Sequence, residues 1–126
     1  MVYVSHDEAL ELHAEIKGLS VAGARAELRD PGALASALER PRNAALYRGA
    51  DLVEQAAALL VGVAESQAFV DGSERIALVV ALTFLGANGV VLEMSDDEKV
   101  SLMFEIADGL GADAVSARLR RRVRRS

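Results

Sequence analysis

Apolar residues recur at helical spacing along most of the chain. Behind Ser5-His6-Asp7-Glu8, residues Ala9, Leu10, Leu12, His13 and Ile16 share one helical face, and Gly18 closes the segment. Ser5 and Glu8 have the spacing of a capping box. Residues 19–29 are rich in Gly and Ala and carry no clear period. Asp30-Pro31 sets an N-cap before a proline at the first helical position. Leu34, Ala37 and Leu38 form the inner face there, and Pro41 is expected to stop that helix. Residues 42–50 read as a loop with at most one helical turn. Asp51 to Glu54 is a second cap, and Val53, Ala56, Ala57, Leu59, Leu60 and Val63 continue a helix to about Glu65.

A short polar segment, 66–73, precedes a stretch from Glu74 to about Ala87 that is apolar on nearly every side. A helix of that kind belongs at the centre of a bundle. Asn88-Gly89 predicts a left-handed end, and Val90 to Glu93 a short extended piece. Ser95-Asp96-Asp97-Glu98 is a third capping box. It opens a helix expected to turn Val100, Met103, Phe104, Ile106 and Ala107 inward and to end near Gly109. Asp113 is expected to cap a last helix that runs into a cluster of arginines. The pattern predicts an all-α fold of five or six helices around a buried central helix, with residues 1–126 as one compact domain.

Composition narrows the choices. Of 126 residues, 52% are apolar, enough for a real core, so a disordered acidic chain is excluded. Aromatics are 4% with no Trp, which removes the stacking platforms of single-strand binders. Cysteine is absent, which excludes disulfides, thiolate metal sites and a cysteine nucleophile and suits a reducing cytoplasm. The opening residues show neither a basic region nor a long apolar run, so no targeting segment is expected. Ile76 to Ala87 is too short for a bilayer, which needs roughly 20 residues. The net charge is −5, but six of the 14 cationic residues are arginines at 118, 120, 121, 122, 124 and 125. The eight others face all 19 acids in residues 1–117, a net of −11. An acidic body with a basic tail is a poor match for a nucleic-acid-binding domain. The tail, 118–126, is expected to be a solvated, frayed helix end, with contact to an acidic partner segment or to nucleic acid as the lesser readings. Met94 and Met103 read as core filler. Glu93, Asp96, Asp97 and Glu98 read as a cap and a solvated face, since no histidine accompanies them.

One segment offers chemistry: Gln67-Ala68-Phe69-Val70-Asp71-Gly72-Ser73-Glu74-Arg75-Ile76-Ala77. It joins two apolar helices and ends where the second begins. First-turn N–H groups lack partners and the helix dipole is positive there, so an anion is favoured. Gly72 would let a phosphate approach the backbone. Arg75 would clamp it bidentately, and Asp71 would hold Mg²⁺, which takes one or two carboxylates with phosphate oxygens. The same residues also spell an ordinary turn followed by an N-cap serine, Ser73, the commoner arrangement on physics alone.

The segment resembles the signature of the Fic/Doc (Fido) family, whose Doc branch reads roughly His-x-Phe-x-Asp-Gly/Ala-Asn-Lys-Arg-Thr-Ala. Phe69, Asp71, Gly72, Arg75 and Ala77 match. Ser5-x-x-Glu8 with Leu12-His13, then Asp30-Pro31-Gly32, Phe84-Leu85-x-x-Asn88-Gly89 and the arginine-rich end extend the likeness along the chain. The resemblance implies the small helical Fic domain and transfer of part of a nucleotide, usually AMP, to a protein hydroxyl. The Doc branch instead transfers the terminal phosphate of ATP, with Mg²⁺, and inactivates translation elongation factor Tu. It also implies an antitoxin partner whose disordered tail folds on the toxin.

The departures carry consequences. The family's general-base histidine is Gln67, and an amide takes no proton, a loss of about 10²–10⁴ in rate. The phosphate-cradling asparagine is Ser73, the following lysine is Glu74, which repels phosphate, and the threonine is Ile76. His13 is the only other candidate base, and it reads as a core histidine; His6 sits in a helix cap. The resemblance therefore implies a transferase of impaired activity, with Asp71 and Arg75 as the surviving catalytic residues and Gly72, Ser73, Glu74 and Arg75 around the nucleotide phosphates. The alternative is a non-catalytic regulatory or protein-binding member of the same fold.

Overall fold

The computed structural model describes residues 1–126 and holds seven helices: α1 (His6–Lys17), α2 (Val21–Glu27), α3 (Pro31–Arg48), α4 (Leu52–Ser66), α5 (Ser73–Ala87), α6 (Asp96–Ala107) and α7 (Ala112–Arg120). Two three-residue strands, β1 (Val90–Leu92) and β2 (Val123–Arg125), pair antiparallel with Val91 opposite Arg124. The all-α expectation holds. No helix is long and apolar enough to cross a membrane.

The capping boxes at Ser5, Asp51 and Ser95 all form, each with the N3 glutamate bonded back to the cap. The unassigned stretch becomes α2, capped by Ser20, whose hydroxyl accepts from Gly23 N–H. Pro41 does not stop its helix. It is buried inside α3, which runs one residue past Tyr47 and ends at Gly49 (φ +64). The expected loop over 42–50 is therefore largely helical. A missing N–H costs a helix about 3 kcal/mol, and packing of α3 along α4 supplies the opposing term. That packing is close: Arg40 lies across Gly62 of α4, where a Cβ would sit 2.7 Å from its Cδ.

The centre of the molecule is α4 rather than α5. Ten of the fifteen α4 residues are buried, an unbroken run from Gln55 to Val63 included, against seven in α5. α3, α5, α6 and α7 all pack on α4. The core is one cluster of 27 residues drawn from these helices with Val4, Ala9 and Leu10 of the N-terminal region, Ala68 and Phe69 between α4 and α5, and Leu92 of β1. Tyr3 closes one end. Its hydroxyl bonds Gln55 Oε1 at 2.8 Å and its ring stacks on Phe84.

Three other expectations are corrected. Val100, Phe104 and Ala107 do not face inward; Leu102, Met103 and Ile106 do. α7 is opened by Gly111 without a side-chain cap, and Asp113 lies in its first turn. The tail does not fray. It turns back as β2 onto β1, with Glu93 N–H bonded to Arg122 O and Ser126 N–H to Gly89 O.

Candidate functional site

The segment 67–75 bridges the two most apolar helices. Gln67 ends α4 in a left-handed conformation (φ 47), the only non-glycine residue of the chain with positive φ. Its carbonyl accepts from Arg29 Nη2 at 3.1 Å. Ala68 and Phe69 then dive into the core. Phe69 forms an isolated antiparallel bridge with Leu28, and Val70 N–H bonds Glu27 O. The chain after α2 thus clamps the loop by backbone bonds on one side.

Gly72 (φ +84) is the N-cap of α5, not Ser73. A side chain there would be strained, and glycine alone takes that conformation cheaply. Ser73 is instead the first helical residue and is buried, with no capping bond. No side chain caps α5, so the N–H groups of its first turn have no side-chain acceptor. α1, α2, α3, α4 and α6 all have one.

Beneath the loop lies a polar chain that no motif announces. His13 is fully buried, stacks on Phe69 at 3.9 Å between ring centres, and bonds Glu27 Oε1 through Nε2 at 2.9 Å. Lys17, one turn further along α1, lies 3.9 Å from the same oxygen and donates to Asp71 Oδ2 at 2.8 Å. That bond holds the Asp71 carboxyl below its ordinary range and raises the Lys17 ammonium. Closed off from the surface and engaged with Glu27, His13 is the core histidine expected and is not placed to take a proton from a protein substrate. Its Nδ1 has no partner.

Asp71, Gly72, Glu74 and Arg75 line one cleft of about 590 Å³. Its far wall is the α6 stripe Val100, Met103, Phe104 and Ala107, with Leu78 of α5 between. Phe104 is 68% exposed and Val100 52%. Four of the six expected site residues therefore meet at one place, with an apolar wall opposite. Gln67 stands outside the cleft lining, and Ser73 is turned into the protein. Sequence reading missed Lys17, Glu27 and the apolar wall. Lys17 repeats the helical spacing of His13 on α1, but nothing local ties it to Asp71, 54 residues away; the 100-103-104-107 stripe carries the spacing of a core face.

No three His, Cys, Asp or Glu side chains converge anywhere. A divalent ion at Asp71 would need its other ligands from phosphate and water, which is the Mg²⁺ habit. Asp71 and Glu74 are the carboxylates of the cleft that could hold such an ion, while Arg75 and the uncapped first turn of α5 suit a phosphate and not the metal.

Two comparisons bear on this arrangement. The model of the Fic/DOC family matches residues 3–85, from Tyr3 through the whole loop to Leu85 near the end of α5. A curated protein, Toxin Doc of Mycolicibacterium smegmatis, is 39% identical over 104 residues, covering 77% of this chain and 78% of its own. A match across two thirds of the chain and a relative of comparable length agree with the fold and with the loop that joins α4 to α5, and this chain belongs to the Fic/DOC family.

Proposed function

We propose that this chain is a Doc-like toxin-family protein of a toxin–antitoxin module. On this reading it is by descent a Mg²⁺–ATP-dependent protein phospho- or nucleotidyl-transferase that blocks translation, and its chemistry is impaired. The observation that carries the proposal is the loop itself: Asp71 and Arg75 line one cleft beside the uncapped N-terminus of α5, and the motif position that the resemblance gives to the base is Gln67. Asp71 would hold Mg²⁺ and Arg75 would clamp a phosphate, with Gly72 giving close approach to the backbone. Phosphoryl transfer from ATP to a target hydroxyl releases the hydroxyl proton. Gln67 cannot accept it, so the proton must pass unaided to water, which slows the step by about 10²–10⁴.

The test is restoration. Gln67→His, Ser73→Asn and Glu74→Lys together should raise phosphate transfer from labelled ATP to a translation factor by at least about 100-fold. An inert triple variant that still binds Mg²⁺–ATP would show that the loop has left this mechanism.

A second reading, a non-catalytic regulatory or protein-binding member, draws on the exposed Phe104 and Val100 beside the loop. An antitoxin-like segment with a disordered tail would cover that wall and the cleft together. Co-purification of a small acidic partner lost on Phe104→Ser would favour it.

A further inference from the structure

Lys17 is the last residue of α1, yet its ammonium is not left to solvent. Only 20% of its side chain is exposed, against 79% for Asp71. Its stem crosses the turn that opens α5, with Cδ 4.0 Å from where a Gly72 Cβ would lie. Glu27 and Asp71 hold Nζ from either side. Arg75, in the first turn of α5, lines the same cleft as Asp71. Arg75 thus lines the cleft beside the uncapped N–H groups and Lys17 stands behind the turn at Gly72, while the loop's own helix offers Glu74, a carboxylate, in the lining. The floor of the same turn is unsatisfied as well. The Cε1 edge of His13 lies 3.7 Å from the Gly72 Cβ position, and Nδ1, bonded to that carbon, has no partner.

We propose that Lys17, from α1, supplies the phosphate-facing cation that position 74 lacks, so that Lys17 and Arg75 together hold a nucleotide's polyphosphate at the N-terminus of α5. The inference rests on the reading of Asp71 to Arg75 as a phosphate site. With Asp71 engaged by a divalent ion, the Lys17 ammonium would have to give up that carboxylate. Freed from Asp71, the ammonium would keep only Glu27 at 3.9 Å and would turn to a phosphate seated on the α5 N–H groups. Lysine serves phosphate as a point charge and needs no fixed fork, so an origin on another helix is no handicap.

The experiment is calorimetric titration of the full chain with Mg²⁺–ATP and, separately, with Mg²⁺–tripolyphosphate. The tripolyphosphate arm isolates the phosphates from the base. Lys17→Met should weaken both about tenfold, the worth of one charge-assisted bond. Lys17→Arg should stay within about threefold of the wild type. Adding Glu74→Lys to Lys17→Met should recover most of the loss, because the cation returns to the loop. Unchanged or tighter binding by Lys17→Met overturns the inference, the latter making Lys17 a competitor of the metal. A loss that neither Lys17→Arg nor Glu74→Lys repairs assigns Lys17 a merely structural role and overturns it too. If the wild type binds neither ligand, or Arg75→Ala leaves binding intact, the phosphate site itself fails and the inference with it. Binding lost in Arg75→Ala but kept in Lys17→Met removes Lys17 alone.

Discussion

Glu98 serves two elements with one carboxylate. Oε1 accepts from Ser95 N–H at 3.0 Å and completes the α6 capping box, while both oxygens pair with the Arg122 guanidinium. Arg122 first, and the cap second, hold the carboxyl down at about 2, against an ordinary 4.5. A depressed folded value contributes stability that is complete above 4.5 and is lost as the pH falls through about 2. The Glu98 side-chain carbon should therefore titrate near 2 by NMR and move back toward 4.5 in Arg122→Ala. A wild-type midpoint near 4.5 would sink the pair. At the same scale, Gln67, Asp71, Gly72 and Arg75 could be named from sequence because they lie within nine consecutive residues. Lys17 could not, because its partner Asp71 is 54 residues away and no local rule joins them.

At the scale of elements, helix starts were legible and helix ends less so. A cap is a local bond between residues three apart, so Ser5, Asp51 and Ser95 carry it in the sequence. Pro41 carries an equally local signal to stop, and burial within α3 overrides it. Asp51 separates the two kinds of contribution. Its carboxylate caps α4 by accepting from Glu54 N–H at 2.9 Å and also pairs with Arg120 of α7 at 2.9 Å. Asp51→Ala removes both and should cost about 1 kcal/mol. Asp51→Asn keeps a good cap and loses only a half-exposed ion pair, so it should cost less than about 0.5 kcal/mol. Equal losses in chemical denaturation would mean that the ion pair, not the cap, holds this junction. The α6 stripe makes the opposite point. Val100, Met103, Phe104 and Ala107 repeat as a core face does, and the fold lays most of that face along the cleft.

Across the whole molecule, the basic tail and the acidic body are one arrangement. Arg118 pairs with Glu105, Arg120 with Asp51, Arg122 with Glu98 and Arg124 with Glu93. Four of the six tail arginines are thus engaged inside the chain, two of them by Glu93 and Glu98 of the 93–98 acidic run. Each exposed pair is worth little alone. Together with the β1–β2 ladder they fasten the C-terminus over Leu92, which is buried. Removing residues 122–126 should lower the melting temperature by about 5 °C, on the order of 1 kcal/mol for a domain of this size. A frayed tail would leave it unchanged.

Local patterns along the chain settle the helical class, the capped starts at Ser5, Asp51 and Ser95, the short extended piece after Gly89 and the loop that marks the family. All of these rest on bonds or spacings within about a dozen residues. That α4 rather than α5 is the axis follows from packing, because two equally apolar helices differ in how many helices they meet. Packing likewise sets Phe104 at the border of a cleft, closes the arginines into a strand and brings Lys17 against Gly72. Those are facts of long-range packing, in which side chains far apart in the chain share one surface and their charges select one another.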